Sequence, residues 1–234
     1  NLLPLTGVGH CPVRHFGLGN DCDAQADQLL FSESGSTFRL GSAEFRIPMI
    51  GELNVRNALA ALLMARYAGL SDEQIQAGFD TFEGIRRRME IRGEVNGVTV
   101  IDDFAHHPTA IRETLKALGR RFPERRVWAI FEPRSNTTRR NHFQIELAEA
   151  LRLAKRVVVA EVARLEQVPP EERLNPAQLM ADIRAAGVET DYLPTADEIV
   201  AHVVPQAQPG DILCVLSNGG FDNIHQKLID ALEA

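Results

Sequence analysis

The sequence predicts an α/β protein: a mostly parallel sheet with helices on both faces, preceded by a partial α/β segment. Three observations lead there. From Arg88 onward, strand-like and helix-like segments alternate, the pattern of a parallel sheet with crossover helices. The runs VWAIFE (127–132) and DILCVL (211–216) are continuously apolar, as expected of strands covered on both faces. The β-branched run Val98, Thr99, Val100, Ile101 ends in Asp102 and Asp103, and Pro108 then opens a segment with helical spacing. The turn between them lies where α/β proteins place ligands, at the carboxyl end of a strand.

Taken in order, residues 1 to about 50 read as short strands and turns. Asp27–Phe31, Thr37–Leu40 and Glu44–Ile47 form a β-meander broken by SESGS and GSA. GVG (7–9) and GLG (17–19) read as turns, being too short for a phosphate loop. After Gly51-Glu-Leu-Asn54-Val-Arg-Asn57 comes a helix through Tyr67, with Ala58, Ala61, Leu62 and Ala65 sharing a face. Gly69 stops it, and Ser71 caps a second helix to about Phe79, with Glu73 and Gln74 in its first turn. The pattern breaks near Gly84, giving units 1–83 and 84–234. In the second, strands are expected near 90–95, 98–102, 127–132, 156–161, 189–193 and 211–216. Helices are expected near 108–120, 139–154, 175–187, 196–204 and 222–233.

Composition narrows the function. At 234 residues and 44% hydrophobic, the chain can bury a real core, and its net charge of −7 argues against a general nucleic-acid binder. No run of ~18 apolar residues implies a membrane span. NLLPLTGVGH has no basic n-region, so no signal peptide is expected, and without an initiator Met it reads as the start of a fragment or a processed chain. Cys11, Cys22 and Cys214 fit no common disulfide or zinc spacing. Free thiols in a reducing cytoplasm are favoured over a metal site from His10, Cys11, His15 and Cys22, so no metal site is assigned.

Three loops of the second unit carry candidate chemistry, and all follow strands whose carboxyl ends should share one sheet edge. The first holds Asp102, Asp103, His106 and His107. Its acids could bind metal, accept from ribose hydroxyls or cap the next helix, and for one histidine a satisfied turn is the plainer reading. The second holds Arg134, Ser135, Asn136, Thr137, Thr138 and Arg139, offering hydroxyls, backbone N–H groups and guanidinium forks suited to an anion. An ordinary N-cap explains Thr137 or Thr138 but not the flanking arginines. The third, Ser217, Asn218, Gly219, Gly220, Phe221 and Asp222, lets backbone approach a ligand closely, although alone it reads as a turn. Asn54 and Asn57, one turn apart, are either N-caps or holders of an adenine edge. No GxxxxGK[ST] and no strand-following GxGxxG is present, so the chain by itself forms neither a P-loop nor a dinucleotide site.

GELNVRNALAALLMARYAGL resembles the G-x-x-N-x-x-N-A-x-A-A signature of the Mur ligases. GIRRRMEIRGEVNGVTVIDDFAHHPTAI, with Arg88-Met-Glu90 and the Asp-Asp-x-x-His-His-Pro turn, does so too. The resemblance covers nearly everything after about residue 30, and four spaced motifs together are specific. It implies an ATP-dependent amide-bond ligase of peptidoglycan synthesis, cytoplasmic, binding neither nucleic acid nor membrane. It also implies three domains, of which this chain matches the end of the central ATPase domain (1–83) and the whole C-terminal Rossmann-like domain (84–234). The chain is then a fragment without the P-loop, inactive alone, with ATP and Mg²⁺ held mainly by the missing part.

By the same resemblance, Asn54 and Asn57 match asparagines that approach adenine. Arg88 matches an arginine that reaches the nucleotide, Asp103 a carboxylate near the ribose, and His106 and His107 the catalytic histidine turn. Arg134 to Arg139 and Ser217 to Asp222 match regions that hold the incoming amino component. The family often has His before the first asparagine, where this chain has Leu53. FEPRSNTTRR and SNGGFDNIHQKL look most like the member that joins UDP-N-acetylmuramate to the tripeptide L-alanyl-γ-D-glutamyl-meso-diaminopimelate, through an acyl phosphate and a tetrahedral intermediate. Arg134 and Arg139 would suit its carboxylates and Asp222 its ammonium groups. The alternatives are the member that adds L-alanine to UDP-N-acetylmuramate, and a non-catalytic module that binds a nucleotide or peptide.

Overall fold

A computed structural model describes residues 13–32 and 34–234. The glycines at 7 and 9, His10 and Cys11 lie outside the described residues. The chain divides into two compact units, Asn1–Gly84 and Ile85–Ala234.

In the first unit, β2 (Ala24–Ser32), β3 (Gly35–Leu40) and β4 (Ala43–Ile47) form the antiparallel meander, and β1 (Phe16–Gly17) adds a short parallel pairing to β2. Two helices follow, α1 (Glu52–Tyr67) and α2 (Asp72–Asp80). Ser71 caps α2, as the sequence implied, and the structure adds a reciprocal box with Gln74. The core gathers Phe38 and Phe45, stacked 5.8 Å apart, with Val55, Leu59, Leu62 and Ile75. The buried stripe of α1 is Val55, Ala58, Leu59 and Leu62, rotated from the predicted one, and Ala61 is exposed. Larger side chains win the inward face because each buried Leu or Val is worth roughly 1.5–3 kcal/mol, far more than an alanine. The helix also starts earlier than predicted, with Gly51 at its N-cap, so Asn54 and Asn57 lie inside it and neither is the cap.

The second unit is a six-stranded sheet in the order β5-β6-β10-β7-β8-β9. Its strands are β5 (Glu90–Val95), β6 (Val98–Asp103), β7 (Val127–Phe131), β8 (Arg156–Ala160), β9 (Glu189–Leu193) and β10 (Ile212–Leu216). Only β5 runs antiparallel, through a tight hairpin in which Asn96 and Gly97 have φ of 51° and 78°. The helices are α3 (Pro108–Arg121), α4 (Gln144–Leu151), α5 (Pro176–Ala185), α6 (Ala196–Val203) and α7 (Ile224–Glu233). Residues of α3, α4 and α5 share one core with Ile212, Cys214 and Leu216, while α6 and α7 share the other with Leu213 and Val215. Strict alternation along β10 therefore feeds two cores, which is why DILCVL reads as continuously apolar.

Two predicted helices are shorter than expected. The 139–154 helix is α4, preceded by a single 3₁₀ turn at Asn141–Phe143, because Ser135 and Thr138 close a turn of their own and Arg140 bridges to Arg173. The 222–233 helix begins at Ile224, because Phe221, Asp222 and Asn223 all have positive φ (44°, 49° and 54°) and make a left-handed turn.

Candidate functional site at the carboxyl edge of the second sheet

The connection from β6 passes over the place of β10, and β10 returns between β6 and β7. Helix α7 leaves β10 towards one face, while α3 and α4 leave its neighbours towards the other. The chain diverges on both sides of β10, the arrangement that opens a ligand crevice in doubly wound sheets. Register brings the loops level: Leu216 pairs with Asp103 on one side and Phe131 on the other. The three loops singled out in the sequence therefore start from one edge.

Adjacent residues of β6 face opposite layers, and the two acids differ accordingly. Asp102 accepts from Nε of Arg87 at 3.1 Å and has Nε2 of His225 at 3.2 Å, off the line of a good hydrogen bond. Burial pushes its carboxyl upward, but His225 and Arg87 outweigh that and hold it below the usual value. Asp103 accepts from the backbone N–H of Ala105 at 2.7 Å and of Met89 at 2.8 Å. Burial nevertheless pushes its carboxyl above the usual value. Only 3% of Asp103 is exposed, so its chief task is to fold the turn.

The histidines separate in the same way. His107 is the N-cap of α3, its Nδ1 accepting from the N–H of Thr109 at 3.3 Å and its ring set edge-on to Phe143. Nδ1 of His106 lies 2.9 Å from the carbonyl of Phe104, which orients the ring and leaves Nε2 as its other polar atom. Arg87 and Met89, with φ of 59° and 49°, flank Arg88. Arg88 is exposed with its Cζ 5.8 Å from the Phe104 ring centroid. An exposed guanidinium steadied on an aromatic ring fits a nucleotide phosphate. In the first unit, Nδ2 of Asn54 donates to the carbonyl of Ile50 at 2.8 Å, while Asn57 is exposed.

The β7 loop is a built turn. Ser135 and Thr138 bond hydroxyl to hydroxyl at 2.8 Å, and each hydroxyl accepts the other's N–H. Arg139 is 9% exposed and donates to the carbonyl of Arg164, to Gln167 and to Asn136. It ties the β7 loop to the loop after β8, which differs from the expected contact with a substrate carboxylate. Thr137 is half-buried between these anchors. Arg134 is exposed and lies 3.8 Å from Glu132. It is seated on Gly219, where an added Cβ would stand 2.4 Å from its Nη1, so a side chain there would push the Arg134 guanidinium off this seat.

The β10 loop meets it from the other side. The buried Ser217 hydroxyl donates to Glu132 and accepts the N–H of Gly219 at 2.9 Å. Gly220 opens the left-handed turn, and Oδ1 of Asn218 is buried without a protein hydrogen-bond partner. Asp222 pairs with Lys227, so its charge is already shared. The loop after β8, given no role from the sequence, completes a cleft of about 500 Å³ lined by Glu132, Glu161, Arg164, Glu166, Thr195 and Asp222. The acidic lining had a signal, since EVARLE follows a strand at the same edge.

A doubly wound α/β unit whose switch-point loops present side chains of both charge signs is the class that fold and site define. The chain belongs to the Mur ligase family: the Mur ligase, glutamate ligase domain matches residues 87–219. The UDP-N-acetylmuramate–L-alanyl-γ-D-glutamyl-meso-2,6-diaminoheptandioate ligase of Escherichia coli K12 is 40% identical over 81% of this chain and 39% of its own length. A UDP-N-acetylmuramate–L-alanine ligase of Desulfitobacterium hafniense is 30% identical over 93% of the chain and 49% of its own. The crystal structure of a murein peptide ligase from Psychrobacter arcticus is 35% identical with a TM-score of 0.71, over 99% of this chain and 49% of that one. The chain thus spans about half the length of the relatives it matches.

Proposed function

We propose that this chain is the acceptor-binding part of an ATP-dependent ligase that joins UDP-N-acetylmuramate to L-alanyl-γ-D-glutamyl-meso-diaminopimelate through an acyl phosphate. In this reading 1–83 ends the central ATPase domain, 84–234 is the C-terminal domain, and the enzyme works in the cytoplasm. The observation that carries it is the charge arrangement at the carboxyl edge: exposed Arg134 beside a cleft lined by Glu132, Glu161 and Glu166. A peptide ending in diaminopimelate bears carboxylates and ammonium groups, and L-alanine needs no such length of cleft. Arg134 takes a carboxylate, while Asn218, Gly219 and Gly220 offer backbone and amide contacts. The acidic cleft takes an ammonium, a task for Glu161 and Glu166 ahead of the Lys227-paired Asp222.

Nucleotide contacts are assigned to Asn54, Asn57 and Arg88. Asp103 fits a ribose poorly as a direct ligand, because both its oxygens already accept backbone N–H groups, so it acts by shaping the turn. His106 faces the reacting groups and His107 holds the start of α3. Mg²⁺ and the phosphates are held mainly by segments outside this chain, and the chain alone does not turn over. No helix among the described residues is long and apolar enough to cross a membrane.

The test is Arg134→Ala in the full-length ligase. The acceptor KM is expected to rise by about tenfold or more, with the KM for ATP within about twofold of the parent. An unchanged acceptor KM overturns the assignment.

A further inference from the structure

Arg87 carries none of the binding or catalytic roles above, yet it links the start of the second unit to Asp102 and to the β10 loop. It sits at the beginning of the second unit, with its own N–H donated to Glu90 at 2.8 Å and its carbonyl accepting the N–H of Phe104 at 2.8 Å. Its positive φ of 59° is a conformation non-glycine residues seldom adopt, so the surrounding bonds must hold it there. Its side chain is half-buried, whereas that of Arg88 is exposed. Nε lies 3.1 and 3.3 Å from the two oxygens of buried Asp102. Nη2 donates to the carbonyls of Ser217 at 2.7 Å and Gly219 at 2.9 Å, 130 and 132 residues along the chain.

These carbonyls belong to the loop on which Arg134 is seated. Gly219 lies directly under the Arg134 guanidinium, and the Ser217 hydroxyl reaches Glu132, the carboxylate nearest that guanidinium. We infer that Arg87 is a positioning residue: through Asp102 and the two carbonyls it fixes the height of the Ser217–Gly219 backbone, and so the seat of Arg134 and of the acceptor carboxylate. It touches neither substrate nor nucleotide. The inference rests on the reading of this loop as acceptor-binding.

Planarity is what the position demands. A guanidinium lies along a carboxylate with one nitrogen and reaches two carbonyls with another, while an ammonium is a point donor on a flexible stem. The test is Arg87→Lys in the full-length ligase, with Arg87→Gln as a second variant, each checked for cooperative urea unfolding. Arg87→Lys keeps the charge beside Asp102 but loses the fork. It is expected to raise the acceptor KM by about tenfold, with kcat within about threefold and the KM for ATP within about twofold of the parent. Lysine that restores the parent acceptor KM overturns the inference, because a charge-neutralising role alone would be rescued by it. So does a folded Arg87→Gln variant with reduced stability and an unchanged acceptor KM. Arg134→Ala measured in parallel separates the two failures. If it raises the acceptor KM while Arg87→Lys does not, the positioning role falls alone; if neither does, the acceptor reading falls with it.

Discussion

Asp211 is 3% exposed at the amino end of β10, and its carboxylate accepts from Nε and Nη2 of Arg126, from Nε1 of Trp128 and from the N–H of Gln208. Burial alone would raise its pKa, but these donors outweigh it and the net direction is downward. A folded pKa below the unfolded one gives stability that is full above the unfolded value, about 3.9, and is lost as pH falls through the folded value. Asp211→Asn keeps the shape and removes the charge. It is expected to lower unfolding free energy by about 3 kcal/mol at pH 7 in urea titrations. That deficit should shrink as pH falls below about 4, and a deficit independent of pH would contradict the assignment. At this scale the sequence showed which residues could do chemistry but not which were already engaged. His106 and His107 look alike in the chain; only one caps a helix. Arg134 and Arg139 flank the same turn, yet only the structure shows that Arg139 reaches the carbonyl of Arg164, a partner 25 residues away.

Helices and strands were legible wherever local rules and tertiary packing agreed. Ser71 is followed three residues later by Gln74, and both halves of the capping box form. Ser71→Ala is expected to lower the stability of the first unit by about 1 kcal/mol, read as a shift in urea midpoint with unchanged slope. A shift near zero would mean that the core of Phe38, Phe45 and Leu59 alone fixes the start of α2. The rule failed where tertiary partners overrode local preference. Helix α4 looked continuous back to residue 139, but Arg139 and Arg140 are drawn to partners near 164 and 173. Phe221–Asn223 was not legible as a left-handed turn, since one positive-φ residue is recognisable from Gly or Asn but three consecutive ones are held by their surroundings. In α1 the predicted face was partly right: Ala58 and Leu62 are buried and Ala65 packs against the core, but Val55 and Leu59 turn inward and leave Ala61 exposed, because periodicity alone does not weigh alanine against leucine.

At the scale of the whole molecule, strand alternation gave the sheet, and the register of β10 between β6 and β7 turned three separate motifs into one edge. Strand order is decided by long-range pairing, so the sequence could put the EVARLE loop after β8 at the carboxyl edge but not show which loops close a cleft with it. That edge holds the charge arrangement behind the proposal that the full-length protein joins a charged peptide to its sugar substrate. The measurement is phosphate release by the full-length protein with UDP-N-acetylmuramate and Mg-ATP, comparing L-alanyl-γ-D-glutamyl-meso-diaminopimelate with L-alanine as acceptor. The expected kcat/KM for the tripeptide exceeds that for L-alanine by about a hundredfold or more, because a cleft lined with charged groups is left with unpaired charge by the smaller substrate. Equal use of the two acceptors, or a preference for L-alanine, would contradict it.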